Sequence, residues 1–174
     1  DVLRTADYRV MAKQPLQNPM LIRAISHPDS IRDLQLSPTL QALSLQLPAQ
    51  GDSRSRALAK RLYAAAGDER TYVQTILNRF REQKFFYTLH PPLLGEQDTI
   101  DGFLFDSQRG FCSHYAGSFV FLMRAVGIPA RVVIGYQGGE WNEQGKYLAV
   151  HQFDAHAWAE VWLPNQGWLR VDPT

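Results

Sequence analysis

A cysteine acts as a nucleophile only as its thiolate, so it needs a base beside it and an acceptor to orient that base. The chain holds one cysteine, Cys112, and five histidines, His27, His90, His114, His151 and His156. A lone cysteine builds neither an intrachain disulfide nor a multi-cysteine zinc site. Three readings remain: a small buried hydrophobe, an incidental thiol, or a nucleophile. Cys112 opens a helical pattern directly after Gly110-Phe111. The partial positive charge at a helix N-terminus favours a thiolate, and the free N–H groups of the first turn can hold an oxyanion.

Among the histidines, His27 and His90 precede prolines in loop-like sequence, and His151 lies between strand patterns; all three read as surface residues. His114 stands two residues from Cys112 on one helix, where side chains do not face each other, and reads as a packing or hydrogen-bonding residue. His156 differs. In the stretch 154–163, Ala155, Ala157 and Ala159 alternate with Asp154, His156, Trp158, Glu160 and Trp162. The alanine face allows close packing, and the other face presents His156 and Trp158 in a row. The bland reading of His156 is a satisfied core residue. Asp172 ends the next strand pattern. If the two strands pair through the turn at 164–167, Asp172 falls beside residues 154–156, where a carboxylate can fix the imidazole tautomer. Its plainer reading is an aspartate that starts a turn before Pro173. A metal site drawn from Cys112, His114, His151 and His156 fails on spacing, with no C-x-x-C, H-E-x-x-H or i, i+4 pair. No metal and no cofactor is therefore expected.

The elements that must position these residues follow from periodicity. Pro15, Pro19, Pro28, Pro38 and Pro48 interrupt the first fifty residues, which read as an extended arm with short alternations such as Leu43-Ser44-Leu45-Gln46-Leu47. From Asp52 the period becomes helical: Asp52 or Ser53 caps a helix to about Ala66, with Leu58, Leu62 and Ala65 on one face, ended by Gly67. A second helix follows Asp68 to about Gln83, with Tyr72, Val73, Ile76, Leu77 and Phe80 together. Residues 85–89 read as a strand and 93–110 as a loop. A helix over 112–126 carries Tyr115, Phe119, Leu122, Met123 and Val126 as a buried stripe and stops at Gly127 and Pro129. Strand patterns follow at 131–136, 146–150, 154–163 and 168–171, with a loop carrying Trp141 between the first two. The order is an α+β domain: N-terminal helices, then a Cys-bearing helix packed on an antiparallel β-sheet. It divides into an arm (1–50), a helical pair (51–84) and a core (85–174) of one domain.

Composition narrows the function classes. The 174 residues carry 18 basic and 17 acidic side chains, a balance that points to neither nucleic acid nor an anionic membrane as partner. The longest strictly apolar run, Phe119 to Met123, falls far short of the ~20 residues of a membrane span, so this segment is expected to make no direct membrane contact. The start, Asp1-Val2-Leu3-Arg4, lacks a signal-peptide pattern and a Met, as a piece of a longer protein would.

Three blocks then resemble a known family. Gly110-Phe111-Cys112-Ser113-His114-Tyr115-Ala116 with residues 122–133 resembles the nucleophile block of the transglutaminase-like superfamily. Asp154-Ala155-His156-Ala157-Trp158-Ala159-Glu160-Val161-Trp162 is similar to its histidine block, and residues 167–174 to its aspartate block. The resemblance implies a papain-like fold with a Cys112, His156, Asp172 triad. It implies acyl transfer from glutamine carboxamides, with a protein or peptide substrate and an amine acceptor. It is similar to a bacterial membrane-anchored branch of the family, which implies a periplasmic domain of an inner-membrane protein. One departure concerns the oxyanion. The family's transglutaminases use an upstream tryptophan to support it, yet Trp141, Trp158, Trp162 and Trp168 all follow Cys112. Phe85, Phe86 or Tyr87 is left for that place, and only Tyr87 offers a hydroxyl donor. The same triad serves as a hydrolase when water is the acceptor. A binding module that keeps the fold without turnover is the alternative of another class.

Overall fold

Asp68 starts one helix, and Gly67 and Gly127 end two others, where the sequence expects them. The structure is a computed structural model and describes residues 33–174 throughout and, before them, residues 2–5, 10–15, 17, 25, 27, 30 and 31. The chain divides into two units, Asp1–Ile31 and Arg32–Thr174. In the first, β1 (Val2–Arg4) pairs antiparallel with β2 (Val10–Ala12). Pro19 and Pro28 of the expected arm lie outside the described residues.

The arm is not extended to its end at residue 50. Helix α1 (Pro38–Ser44) occupies part of it, because the Ser37 hydroxyl accepts the Leu40 N–H at 3.3 Å and Pro38 presets the first turn. The Leu43–Leu47 alternation straddles the end of this helix and belongs to no strand. Helices α2 (Ser53–Ala66) and α3 (Glu69–Glu82) match their periodicity. Asp68 caps α3 by accepting the Thr71 N–H at 3.0 Å. The α2 stripe runs through Ser55, Leu58, Ala59 and Leu62, with Ala65 left exposed. Tyr72, fully buried on α3, donates its hydroxyl to the Leu122 carbonyl at 3.0 Å and so pins α3 to the cysteine-bearing helix.

Asp52 does not cap α2 as expected. Asp52 has a left-handed backbone, φ 50°, and its side chain does not cap its own helix. Its Oδ1 accepts the Ile100 and Asp101 N–H groups, each at 3.0 Å, at the start of the short helix α4 (Thr99–Asp101). Asp101 returns the favour to α2, accepting the Arg54 N–H at 3.0 Å, the Ser55 N–H at 2.7 Å and the Ser55 hydroxyl. Two helix starts far apart in sequence exchange caps. The loop expected over 93–110 therefore contains α4 and a π-helical turn, Gly102–Ser107, whose Phe103 and Leu104 are buried in the core. Sequence period could not show this, since the caps come from another part of the chain.

Strand β3 (Phe86–Tyr87), shorter than expected, pairs in parallel with β4 (Arg109–Gly110) immediately before helix α5 (Cys112–Arg124). Gly127, φ 83°, closes α5 in the left-handed conformation. The main sheet has the order β5-β8-β9, all antiparallel: β5 (Ala130–Tyr136), β8 (Ala155–Leu163) and β9 (Gly167–Val171). Between β5 and β8 stands a hairpin, β6 (Glu140–Asn142) and β7 (Tyr147–Ala149), so Trp141 lies on a strand opposite Leu148 rather than in a loop. On β8 the residues Ala157, Ala159, Val161 and Leu163 are buried, and the small alanines let α5 lie close to the sheet. The core gathers this face with Phe119, Leu122 and Met123 of α5 and Ile76 and Phe80 of α3. No helix of the described residues is long and apolar enough to cross a membrane.

Candidate active site

Cys112 is the first residue of α5 and is half-buried. Phe111 precedes it with an extended backbone, φ −118° and ψ −178°, and has no side-chain oxygen with which to cap the turn. The helix start is closed from the other side: His114 Nδ1 accepts the Phe111 N–H at 3.3 Å. That role suits a neutral imidazole, and burial holds His114 below its ordinary pKa. A glycine at 110 is required for this packing, because a Cβ there would sit 2.7 Å from His114 Cγ and 2.8 Å from the Phe103 ring. His114 is thus a packing residue, as its spacing suggested. His27, His90 and His151 are exposed, also as expected.

The β3–β4 pairing carries Tyr87 to the same place. Tyr87 lies opposite Gly110, and the Thr88 N–H donates to the Gly110 carbonyl at 2.8 Å. Its ring stacks on Tyr115, one turn along α5, with centroids 6.3 Å apart. The Tyr87 phenol is raised above its ordinary pKa by burial, then by the charge a Cys112 thiolate carries. The Cys112 backbone N–H works against this, while the thiol and the charge of Asp172 add to it. Tyr87 therefore keeps its proton and remains a donor, within electrostatic reach of both Cys112 and Asp172.

His156 and Asp172 come from the central and edge strands. The β8–β9 register pairs Ala159 with Val171, so Asp172 continues opposite Trp158 rather than beside residues 154–156. Asp172 and His156 share that face of the sheet as diagonal neighbours, and their side chains close the gap. His156 Nε2 and Asp172 Oδ2 are 2.7 Å apart. Burial alone would raise the Asp172 carboxyl; hydrogen bonds from His156 and the Thr174 N–H outweigh it and hold the group below its ordinary range. An ionised carboxylate accepts, so Nε2 carries the proton and Nδ1 is left as the basic nitrogen. Among the described residues, no hydrogen bond joins Cys112 to His156 in this state.

Beyond this pair the sheet face carries indole rings, Arg131, Arg170 and Glu160. The Trp158 ring stacks with His156 at 6.3 Å and 24°, and the Arg170 guanidinium lies 4.4 Å from the Trp158 centroid. Arg131 donates to Glu160 at 2.6 and 2.8 Å and covers Trp168 at 4.1 Å. A separate cavity of about 470 Å³, walled by Pro91, Pro92, Ile100, Phe103 and Gly117, opens beside α5. Gly117 lies roughly 140° around the helix from Cys112, so this cavity faces away from the thiol.

A model of the transglutaminase-like superfamily matches residues 56–173. The chain is 49% identical over 174 residues, its whole length, to a protein-glutamine gamma-glutamyltransferase of Pseudomonas aeruginosa, of which it spans 26%. It is 33% identical over 136 residues, 75% of its length, to the uncharacterized protein YebA of Bacillus subtilis, of which it spans 18%. The chain thus spans about a quarter or less of these relatives. The crystal structure of the periplasmic domain of TgpA from P. aeruginosa superposes with a TM-score of 0.95 at 49% identity, covering all of this chain and 62% of that one. A putative cysteine protease from Cytophaga hutchinsonii, 21% identical, covers 84% of this chain and 45% of that one with a TM-score of 0.55, a likeness of fold alone.

Proposed function

This chain belongs to the transglutaminase-like superfamily, and from that premise we propose that it is a cysteine-dependent acyltransferase acting on glutamine carboxamides of proteins or peptides. Cys112, His156 and Asp172 are its catalytic residues in this reading, and Tyr87 supports the oxyanion. The observation that carries it is the 2.7 Å His156–Asp172 bond made through Nε2, which leaves Nδ1 free to take a thiol proton. A periplasmic place, as part of an inner-membrane protein, follows the P. aeruginosa relative and the family resemblance.

The steps balance with these groups alone. His156 Nδ1 takes the Cys112 proton, and the thiolate adds to the carboxamide carbon while the carbonyl electron pair moves to oxygen. The Cys112 N–H and the Tyr87 hydroxyl hold that oxyanion. The imidazolium returns its proton to the departing nitrogen, the C–N bond breaks, and ammonia leaves a thioester. An amine, deprotonated by the same Nδ1, attacks the thioester; the C–S bond breaks and a new amide remains. Water in place of the amine gives deamidation, so acceptor access and water exclusion decide the product.

The test is a glutamine peptide with a labelled amine, reading label incorporation and ammonia release from wild type and Cys112→Ala. Label should enter only with wild type. Equal signal from the two proteins would end the catalytic reading, and ammonia without label would make the enzyme a hydrolase.

A further inference from the structure

We propose that Gly135 is a positioning residue for His156, acting through Trp158; the proposal rests on the acyl-transfer reading above and deepens it. Gly135 stands inside β5, directly opposite His156. A glycine within a strand weakens it, by roughly 0.5–1 kcal/mol against alanine, and asks for a reason. Backbone conformation is not that reason, since Gly135 is not among the glycines with positive φ. The reason is space: a Cβ at 135 would stand 2.7 Å from Trp158 Cη2 and 3.2 Å from Cζ3. The outer edge of the indole lies against bare backbone, in a place that no side chain can share.

The indole has nowhere easy to move. Arg170 lies opposite Glu160 in the β8–β9 register, beyond Trp158 from His156, and its guanidinium sits 4.4 Å from the Trp158 centroid. Arg170 is itself tied to Gln137 Oε1 at 2.6 Å. On the other side the indole stacks with the imidazole, centroids 6.3 Å apart and planes 24° apart. A single hydrogen bond at Nε2 leaves the imidazole free to tilt about that bond. A neighbouring ring plane removes this freedom and so sets where Nδ1 points. Gly135 provides the floor, Arg170 the far wall and Trp158 the surface against which His156 is set.

The test is a double-mutant cycle of Gly135→Ala and Trp158→Phe. Phenylalanine lacks the outer atoms of the indole that approach residue 135, so the alanine methyl then meets open space. Gly135→Ala alone should lower kcat on the order of 10- to 100-fold, the cost of a small misplacement of a catalytic group, with KM nearly unchanged. It should also move the pH profile of Cys112 alkylation toward that of an ordinary thiol near pH 8.5. In the Trp158→Phe background the same substitution should cost less than about twofold, the non-additivity expected of groups in contact. Equal losses in both backgrounds, or an unmoved pH profile, would overturn the proposal. Should Gly135→Ala fail to fold, the double variant must fold with the activity of Trp158→Phe; otherwise the space argument is wrong. Wild type and His156→Ala run alongside keep the two claims apart. A reactive limb below pH 7 that needs His156 upholds the catalytic reading even if Gly135 proves indifferent. Its absence from wild type removes both.

Discussion

An imidazole has two nitrogens, and a carboxylate bound to one assigns the work of the other. Asp172 stays ionised at neutral pH because the His156 and Thr174 donors outweigh its burial. Asp172→Asn keeps the shape but presents an N–H to Nε2, which drives the ring proton onto Nδ1 and removes the base. Activity should fall on the order of 10³- to 10⁴-fold with unchanged KM and folding; a loss below tenfold would mean that Asp172 only braces the strand end. Tyr87 is tested more gently. Its ring is 46% exposed and its strand is held by backbone bonds, so Tyr87→Phe should leave the unfolding midpoint within a degree or two. Losing one oxyanion donor should cost kcat roughly 10²- to 10³-fold. A kcat within threefold of wild type would return the second oxyanion donor to some other group. Residue types and block order were enough to nominate Cys112, His156 and Asp172. Tyr87 could be named only by elimination. The nitrogen that faces Asp172 was beyond reach, because it depends on a two-residue offset in strand register that turn length alone does not specify.

Periodicity made α2, α3, α5 and the sheet strands legible, since each buries its own stripe. It failed at 99–107, where helical structure is held by Asp52 and returned to α2 by Asp101, and no local pattern encodes a cap supplied from a distant segment. That exchange carries its own prediction. Burial would raise the Asp101 carboxyl, but Ser55 and the Arg54 and Ser55 N–H groups outweigh it and hold the group below the ordinary carboxylate range. A carboxyl with a depressed folded-state pKa stabilises the fold above its unfolded value, and this stability disappears as pH falls through the folded value. The urea midpoint should therefore fall below about pH 4. Asp101→Asn should destabilise by about 2 kcal/mol at pH 7, because an amide N–H is turned on the backbone donors. It should also flatten the acid limb, having no proton to gain. A variant as stable as wild type, or one with an unchanged acid limb, would show that the exchanged caps are geometric only.

At the scale of the whole molecule the chain divides after Ile31, although the change in sequence pattern comes only at Asp52. Residues 33–51 lack a long apolar period, so their allegiance to the second unit was not legible. It rests on single polar contacts to residues much later in the chain. Arg124 donates to the Gln46 carbonyl at 2.8 Å, and both indoles of the cross-strand pair Trp162 and Trp168 donate to Asp33, at 2.6 Å to its carbonyl and 3.0 Å to its carboxylate. Among the described residues, every member of the buried core lies at or after Leu58. A chain beginning at Arg32 should therefore unfold cooperatively and keep the reactivity of Cys112. One beginning at Ser37 leaves two indole N–H groups without their acceptors, Trp168 among them only 7% exposed. It should lose about 2 kcal/mol, a fall in Tm of roughly 4–8 °C by calorimetry. Equal melting of the two truncations would show that Asp33 holds nothing. Failure of the longer one to fold would place a structural need in the first thirty-one residues and refute the division as an energetic one.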